Sequence, residues 1–103
     1  MSQHFFVKLI PPRPTFSEDM SAGERQFMQQ HALYWTDLMN KRIVVVFGPV
    51  LDPAGTYGIG IVEAEDEKHL LSLLAGDPAN NAQISYRHWP MRAVHAGPKA
   101  EQA

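Results

Sequence analysis

Histidine and carboxylate are the groups of this chain able to move a proton at neutral pH, and His31 and Asp77 are the two whose positions stand out. His31 sits in an apolar stripe made by Phe27, His31, Tyr34, Trp35 and Leu38, which fall at i, i+4, i+7, i+8 and i+11 of one helix face. A polar ring on such a stripe must find a partner. It reads either as a core histidine bonded to a backbone carbonyl or as a general acid/base in a pocket, oriented by a carboxylate. Asp77 is the natural carboxylate for the second reading. It reads equally as the cap of a helical turn that begins at Pro78, since Asp-Pro is a common turn dipeptide. A His-Asp pair would fix the imidazole tautomer and raise its basicity. Spacing along the chain leaves open whether the two side chains meet.

The other candidates are weaker in type or spacing. The chain has 5 histidines, but no H-x-H or H-x-x-x-H occurs, so no metal site is expected. His4 and His95 lie at element ends and read as solvated, and His69 reads as exposed in the first turn of a helix. His88 faces the same way as Tyr86, where it either lines a cavity or guards an edge. Gly58 and Gly60 leave one face of a strand nearly bare, which marks close approach of a ligand or of another packed element. Lys8, Arg13, Arg87 and Arg92 are the cations available for an anionic ligand. Arg13 stands out because prolines stiffen its loop, although a solvated surface arginine explains it too. The absence of cysteine removes thiol nucleophiles, disulfides and thiolate metal sites together.

The elements that must position these residues follow from pattern. His4 to Ile10 reads as a strand with Phe5, Val7 and Leu9 on one face, and Phe6, Lys8 and Ile10 on the other. Pro11, Pro12 and Pro14 end it, and residues 11–20 read as a stiff surface loop. Ser21 and Glu24 form a capping box that opens a helix running to about Asn40. Ile43 to Phe47 is an apolar strand whose two faces both read as buried. Tyr57 to Ala64 is the next strand, and the short Gly-Pro-containing link makes the pair an antiparallel hairpin. Asp66 caps a second helix to Ala75, with Leu70, Leu71, Leu73 and Leu74 expected inward and Gly76 as its C-terminal stop. Ile84 to Arg92 is the last strand, with Pro90 marking an edge or a bulge. Residues 1–94 read as one domain, and 95–103 as a flexible tail.

The order β-α-β-β-α-β is the split pattern of an α+β, ferredoxin-like fold: a four-stranded antiparallel sheet with two helices on one face. The opposite face is then bare and apolar, and the most apolar strand falls at an edge. A homodimer packed face to face buries both; coverage by the 11–20 loop and the tail is the alternative. With 9 Lys+Arg against 11 Asp+Glu, the net charge of -2 offers nothing to neutralise phosphates, so nucleic acid is not an expected partner. No apolar run is long enough for a membrane span and the first residues lack a signal-peptide pattern, so a cytoplasmic location is expected.

Four features in this order resemble the YCII-related (YciI-like) domain family. They are His31 followed by Tyr34-Trp35, Phe47-Gly48-Pro49 after the second strand, Gly58 and Gly60 in the third, and Asp77-Pro78 after the second helix. The resemblance spans about His4 to Arg92. It implies the dimeric α/β-barrel arrangement of ferredoxin-like subunits and matches the family's His-Asp pair to His31 and Asp77. The proline-rich segment after the first strand departs from the shortest family members. On this basis the chain is expected to be a homodimeric lyase-, isomerase- or hydrolase-type enzyme that needs no metal or organic cofactor. It would act on a small, anionic or cyclic organic molecule. His31 would move the proton and Asp77 orient it, with Arg13, Tyr34, Phe47, Gly48, Pro49, Gly58 and Gly60 contacting substrate. The alternative is a non-catalytic ligand-binding or interaction module built on the same pocket and dimer face.

Overall fold

The computed structural model describes residues 2–96. Four strands, β1 (Gln3–Ile10), β2 (Val44–Val50), β3 (Tyr57–Ala64) and β4 (Ser85–Met91), form one sheet in the order β2-β3-β1-β4. Every neighbouring pair is antiparallel. The two long helices are α2 (Ala22–Asn40) and α3 (Glu67–Ala75); a one-turn helix α1 (Phe16–Asp19) and a 3-10 helix (Pro78–Ala82) complete the chain. This is the ferredoxin-like βαββαβ order with the expected antiparallel sheet. Among the described residues, no helix is long and apolar enough to cross a membrane. The tail expected over 95–103 lies, from residue 97 onward, outside the described residues.

The alternation of β1 resolves as the pattern requires. Phe5, Val7 and Leu9 are buried beneath the helices. Val62 and Gly60 of β3 stand opposite Phe5 and Val7 and share that face. Trp35 and Leu38 of α2, and Leu70 and Leu74 of α3, close the core over them. Leu71 is 46% exposed, against the expectation that it turns inward. Leu70 and Leu74, four apart, take the buried stripe, and Leu71 is rotated off it. Both helix starts are capped from the sequence. Ser21 and Glu24 exchange hydrogen bonds in a capping box, and the Asp66 side chain accepts from the His69 N–H. Gly76 ends α3 in a right-handed rather than left-handed conformation, at φ -83°. Its lack of a side chain serves packing instead, because a Cβ there would stand 2.7 Å from the Tyr34 hydroxyl.

Three further expectations are corrected. Residues 11–20 are not only a surface loop: α1 forms within them and Phe16, 4% exposed, drops into the core. β2 is not buried on both faces. Val44 is buried, but Val45 and Val46 are 38% and 50% exposed, since β2 is an edge strand with a register irregularity at Val44–Val46. His4 is only partly exposed, with Nε2 3.6 Å from the Glu63 carboxylate. The sheet face away from the helices carries Phe6, Ile61 and Trp89 in register, with the Phe6 and Trp89 rings 5.8 Å apart. The β2–β3 loop turns at Gly55, whose φ of 146° is open to glycine and whose missing Cβ lets Pro14 approach.

Gly60 has less room for a Cβ than the other glycines of the described residues. A Cβ on it would lie 2.3 Å from Cζ3 and 2.9 Å from Cη2 of Trp35. The indole therefore rests directly on the backbone of β3. Gly60→Ala is expected to cost about 1–3 kcal/mol, the range for overpacking a filled core, read as a lower denaturant midpoint at unchanged slope. A midpoint equal to the parent's would contradict the direct seating of Trp35 on β3.

Candidate active site

α2 presents His31 and Trp35 one turn apart on the same face. The chain then leaves α3 at Gly76 and enters the 3-10 helix through Asp77, whose side chain accepts from the Ala79 N–H at 2.9 Å. That capping role, read from Asp-Pro, is present. It uses only part of the carboxylate. His31 Nδ1 lies 2.9 Å from Oδ1 and 3.0 Å from Oδ2 of Asp77. Trp35 Nε1–H donates to Oδ2 at 2.7 Å, and the Tyr86 hydroxyl donates to the same oxygen at 2.8 Å. Asp77 is 1% exposed. Four donors, from α2, the 3-10 helix and β4, converge on one buried carboxylate.

The electrostatics follow from this count. Burial alone would raise the Asp77 carboxyl. The hydrogen bonds from His31, the Ala79 N–H and Trp35 outweigh it and hold the group below its ordinary value of 3.8. Burial, and then the Asp77 charge, push the Tyr86 phenol up, so it stays a donor. An ionised carboxylate offers only acceptors, so the proton of a neutral His31 must sit on Nδ1. Nε2 then carries the lone pair. It makes no hydrogen bond among the described residues, and the ring lines a cavity.

That cavity has a volume of about 270 Å³. Its walls include Leu9, Phe16, Met28, Trp35, Phe47 and Ile84, with His31 among them. The Phe47 and His31 rings each lie with their centroids 5.8 Å from that of Trp35, tilted to the indole by 42° and 51°. The remaining residues singled out from sequence fall into two groups. Phe47, Gly48, Pro49 and Gly58 line the cavity together with His31. Arg13, Tyr34 and Gly60 are not part of the lining. Arg13 is held by Glu24 at 2.8 and 3.0 Å and by Asp19 at 2.8 Å. These bonds, Arg13 first and then the Ser21 N–H, pull the Glu24 carboxyl down to about 2. The Tyr34 hydroxyl donates to the Leu73 carbonyl at 2.8 Å, tying α2 to the end of α3. Gly60 lies under Trp35.

Trp35 and Tyr86 as donors to Asp77 escaped the sequence reading. The spacing of Trp35, four after His31, carried a signal that both could share one partner. Tyr86 carried none, because its reach to Asp77 depends on the β1–β4 register. His88, on the same face of β4, meets Glu67 of α3 at 3.1 Å instead. Among the described residues, no three His, Asp or Glu side chains gather as a metal-binding group.

The family model described as YCII-related domain matches residues 5–92. No curated protein matches the chain.

Two outcomes follow from the carboxylate cage. Tyr86→Phe is expected to cost about 1.5–3 kcal/mol, the range for a hydrogen bond to a charged group, measured by chemical denaturation. Asp77 titrates lower in the folded than in the unfolded chain, so its ionisation stabilises the fold fully above pH 4 or so. That contribution is lost as pH falls through the folded value. The melting-temperature gap between the parent and Asp77→Asn should therefore be widest above that pH and narrow below it. A gap that stays constant down to pH 2 would show that the carboxylate charge is not what the cage stabilises.

Proposed function

Because the chain belongs to the YCII-related domain family, we propose that it is a small-molecule enzyme of lyase, isomerase or hydrolase type in which His31 Nε2 moves a proton. The observation that carries this reading is the contact of His31 Nδ1 with buried Asp77 at 2.9 Å, with the ring on a cavity wall. Asp77 fixes the tautomer and stabilises the imidazolium formed when Nε2 takes a proton. Trp35 and Tyr86 hold the carboxylate in place and act through it, so they are positioning residues. Phe47, Gly48, Pro49 and Gly58 shape the volume next to Nε2. A cytoplasmic location fits a chain without cysteine.

The working unit in this reading is a homodimer. The outer sheet face offers Phe6, Ile61 and Trp89 in adjacent register, and Val46 on the edge strand extends it. A second copy of the same face, related by a two-fold axis, is the simplest surface to cover it. A non-catalytic ligand-binding module is the second reading, and the apolar character of the cavity walls favours it.

The decisive experiment is a turnover screen with small organic substrates. His31→Ala is expected to lower any turnover about 10²–10⁴-fold, the usual share of general acid–base catalysis, with unchanged circular dichroism and oligomeric state. Undiminished turnover in that variant sinks the catalytic reading. Ile61→Glu places a charge in the centre of the outer face and is expected to halve the mass measured by sedimentation equilibrium. A parent that sediments as a monomer at high concentration contradicts the dimer.

A further inference from the structure

We propose that the cavity takes an uncharged, compact and mostly apolar molecule, about one substituted ring or a fused pair, that presents a single hydrogen-bonding group to His31 Nε2. This rests on the reading of the cavity as the functional site and replaces the anionic ligand expected from the available cations.

Three observations carry the ligand's chemistry, and a fourth its size. The first is the lining itself: no Lys, Arg, Asp or Glu stands on it, and besides His31 its polar side-chain groups are those of Ser17, Thr56 and Tyr57 and the Trp35 indole N–H. Ser17 is exposed, and the Trp35 N–H is already given to Asp77. The second is where the cations went. Arg13 is saturated by Asp19 and Glu24. Lys8 lies over the Tyr57 ring, 4.4 Å from its centroid, and Arg87 lies over Trp89. Arg92 is likewise off the lining. An anion entering the cavity would lose its water and gain no cation in return, which is costly in a low-dielectric site.

The third is the sign of the field. Asp77 is ionised behind His31, and its donors are a phenol, an indole, an amide and an imidazole that is uncharged when Nε2 holds its lone pair. The carboxylate charge is solvated by dipoles but not cancelled. It repels a second negative charge at the other edge of the imidazole. Size sets the last limit. A dry protein cavity of about 150 Å³ is enough for benzene. The volume of about 270 Å³ therefore has room for a substituted ring or a fused pair and little more.

The test compares 2-naphthol with 2-naphthoate, nearly the same shape with and without charge, on the full chain. Binding is followed by ¹⁵N–¹H NMR and thermal shift. 2-Naphthol is expected to move the amides of Phe47, Gly48 and Gly58 and to bind at least about tenfold more tightly than 2-naphthoate, a difference of about 1.4 kcal/mol. Ala32, exposed on α2 at the edge of the lining, supplies the blocking variant. Ala32→Phe should weaken 2-naphthol by about tenfold or more. Equal or tighter binding of 2-naphthoate overturns the proposal. So does the absence of binding by 2-naphthol at millimolar concentration, or amide shifts that avoid the cavity. His31→Gln separates this from the catalytic reading: retained 2-naphthol binding alongside turnover that His31→Ala leaves intact would end the catalytic role while the ligand class stands.

Discussion

A carboxylate that is 1% exposed, in a chain of 103 residues, is the constraint around which the rest of the molecule is arranged. Removing an ion from water costs several kcal/mol unless its oxygens are fully hydrogen-bonded. Here Oδ1 takes the Ala79 N–H, Oδ2 takes Trp35 and Tyr86, and His31 reaches both. Each donor comes from an element that must be placed to within a few tenths of an ångström. The cage therefore links α2, the 3-10 helix and β4, which share no hydrogen-bonded ladder. Two glycines give the helices their seats, Gly60 beside this cage and Gly76 beside the separate Tyr34–Leu73 bond. The first lets the indole lie on β3 so that its N–H faces Asp77. The second leaves room for the Tyr34 hydroxyl at the end of α3.

The same cage sets the chemistry available at the surface it faces. An acceptor-only partner at Nδ1 leaves Nε2 as the one basic atom directed away from the carboxylate. Trp35 serves both sides: its N–H satisfies Asp77, while its ring, in tilted contact with His31 and Phe47, forms a wall of the cavity. Stability and site geometry are thus coupled through one side chain. A substitution that tilts Trp35 moves the carboxylate, and with it the orientation of the imidazole. The segment carrying α1 contributes Phe16 to the same cavity, and the Arg13 clamp on Asp19 and Glu24 pins that segment against the start of α2.

Much of this was legible in the residues. The strand alternation of β1 and β3, the Ser21–Glu24 capping box, the Asp66 cap and the Asp77-Pro78 turn are local signals, and each appears where its chemistry places it. The β2-β3-β1-β4 sheet follows from the element order. What escaped depends on distance across the fold. Phe16 looked like a loop residue because prolines flank it, and its burial is decided by space beneath the sheet. Leu71 belongs to an apolar run in which only the helical period separates inside from outside. Arg13 had no visible partner, since Asp19 and Glu24 meet it only when α1 folds back on α2. The His31–Asp77 contact joins residues 46 positions apart, and the Trp35 and Tyr86 donors needed the register of β4. The features resembling the YCII-related family pointed to the pair; spacing alone did not.

The proton on His31 reports on the central interaction most directly. In ¹⁵N-labelled protein at pH values where the imidazole is neutral, long-range ¹H–¹⁵N correlation distinguishes a protonated from an unprotonated ring nitrogen. An ionised Asp77 at Nδ1 requires the tautomer with Nδ1–H and a free lone pair on Nε2. Asp77→Asn supplies a side chain that is no longer acceptor-only and should lose that strict preference. A His31 ring protonated at Nε2 in the parent, or one whose tautomer is the same in Asp77→Asn as in the parent, would contradict the carboxylate's control of the imidazole.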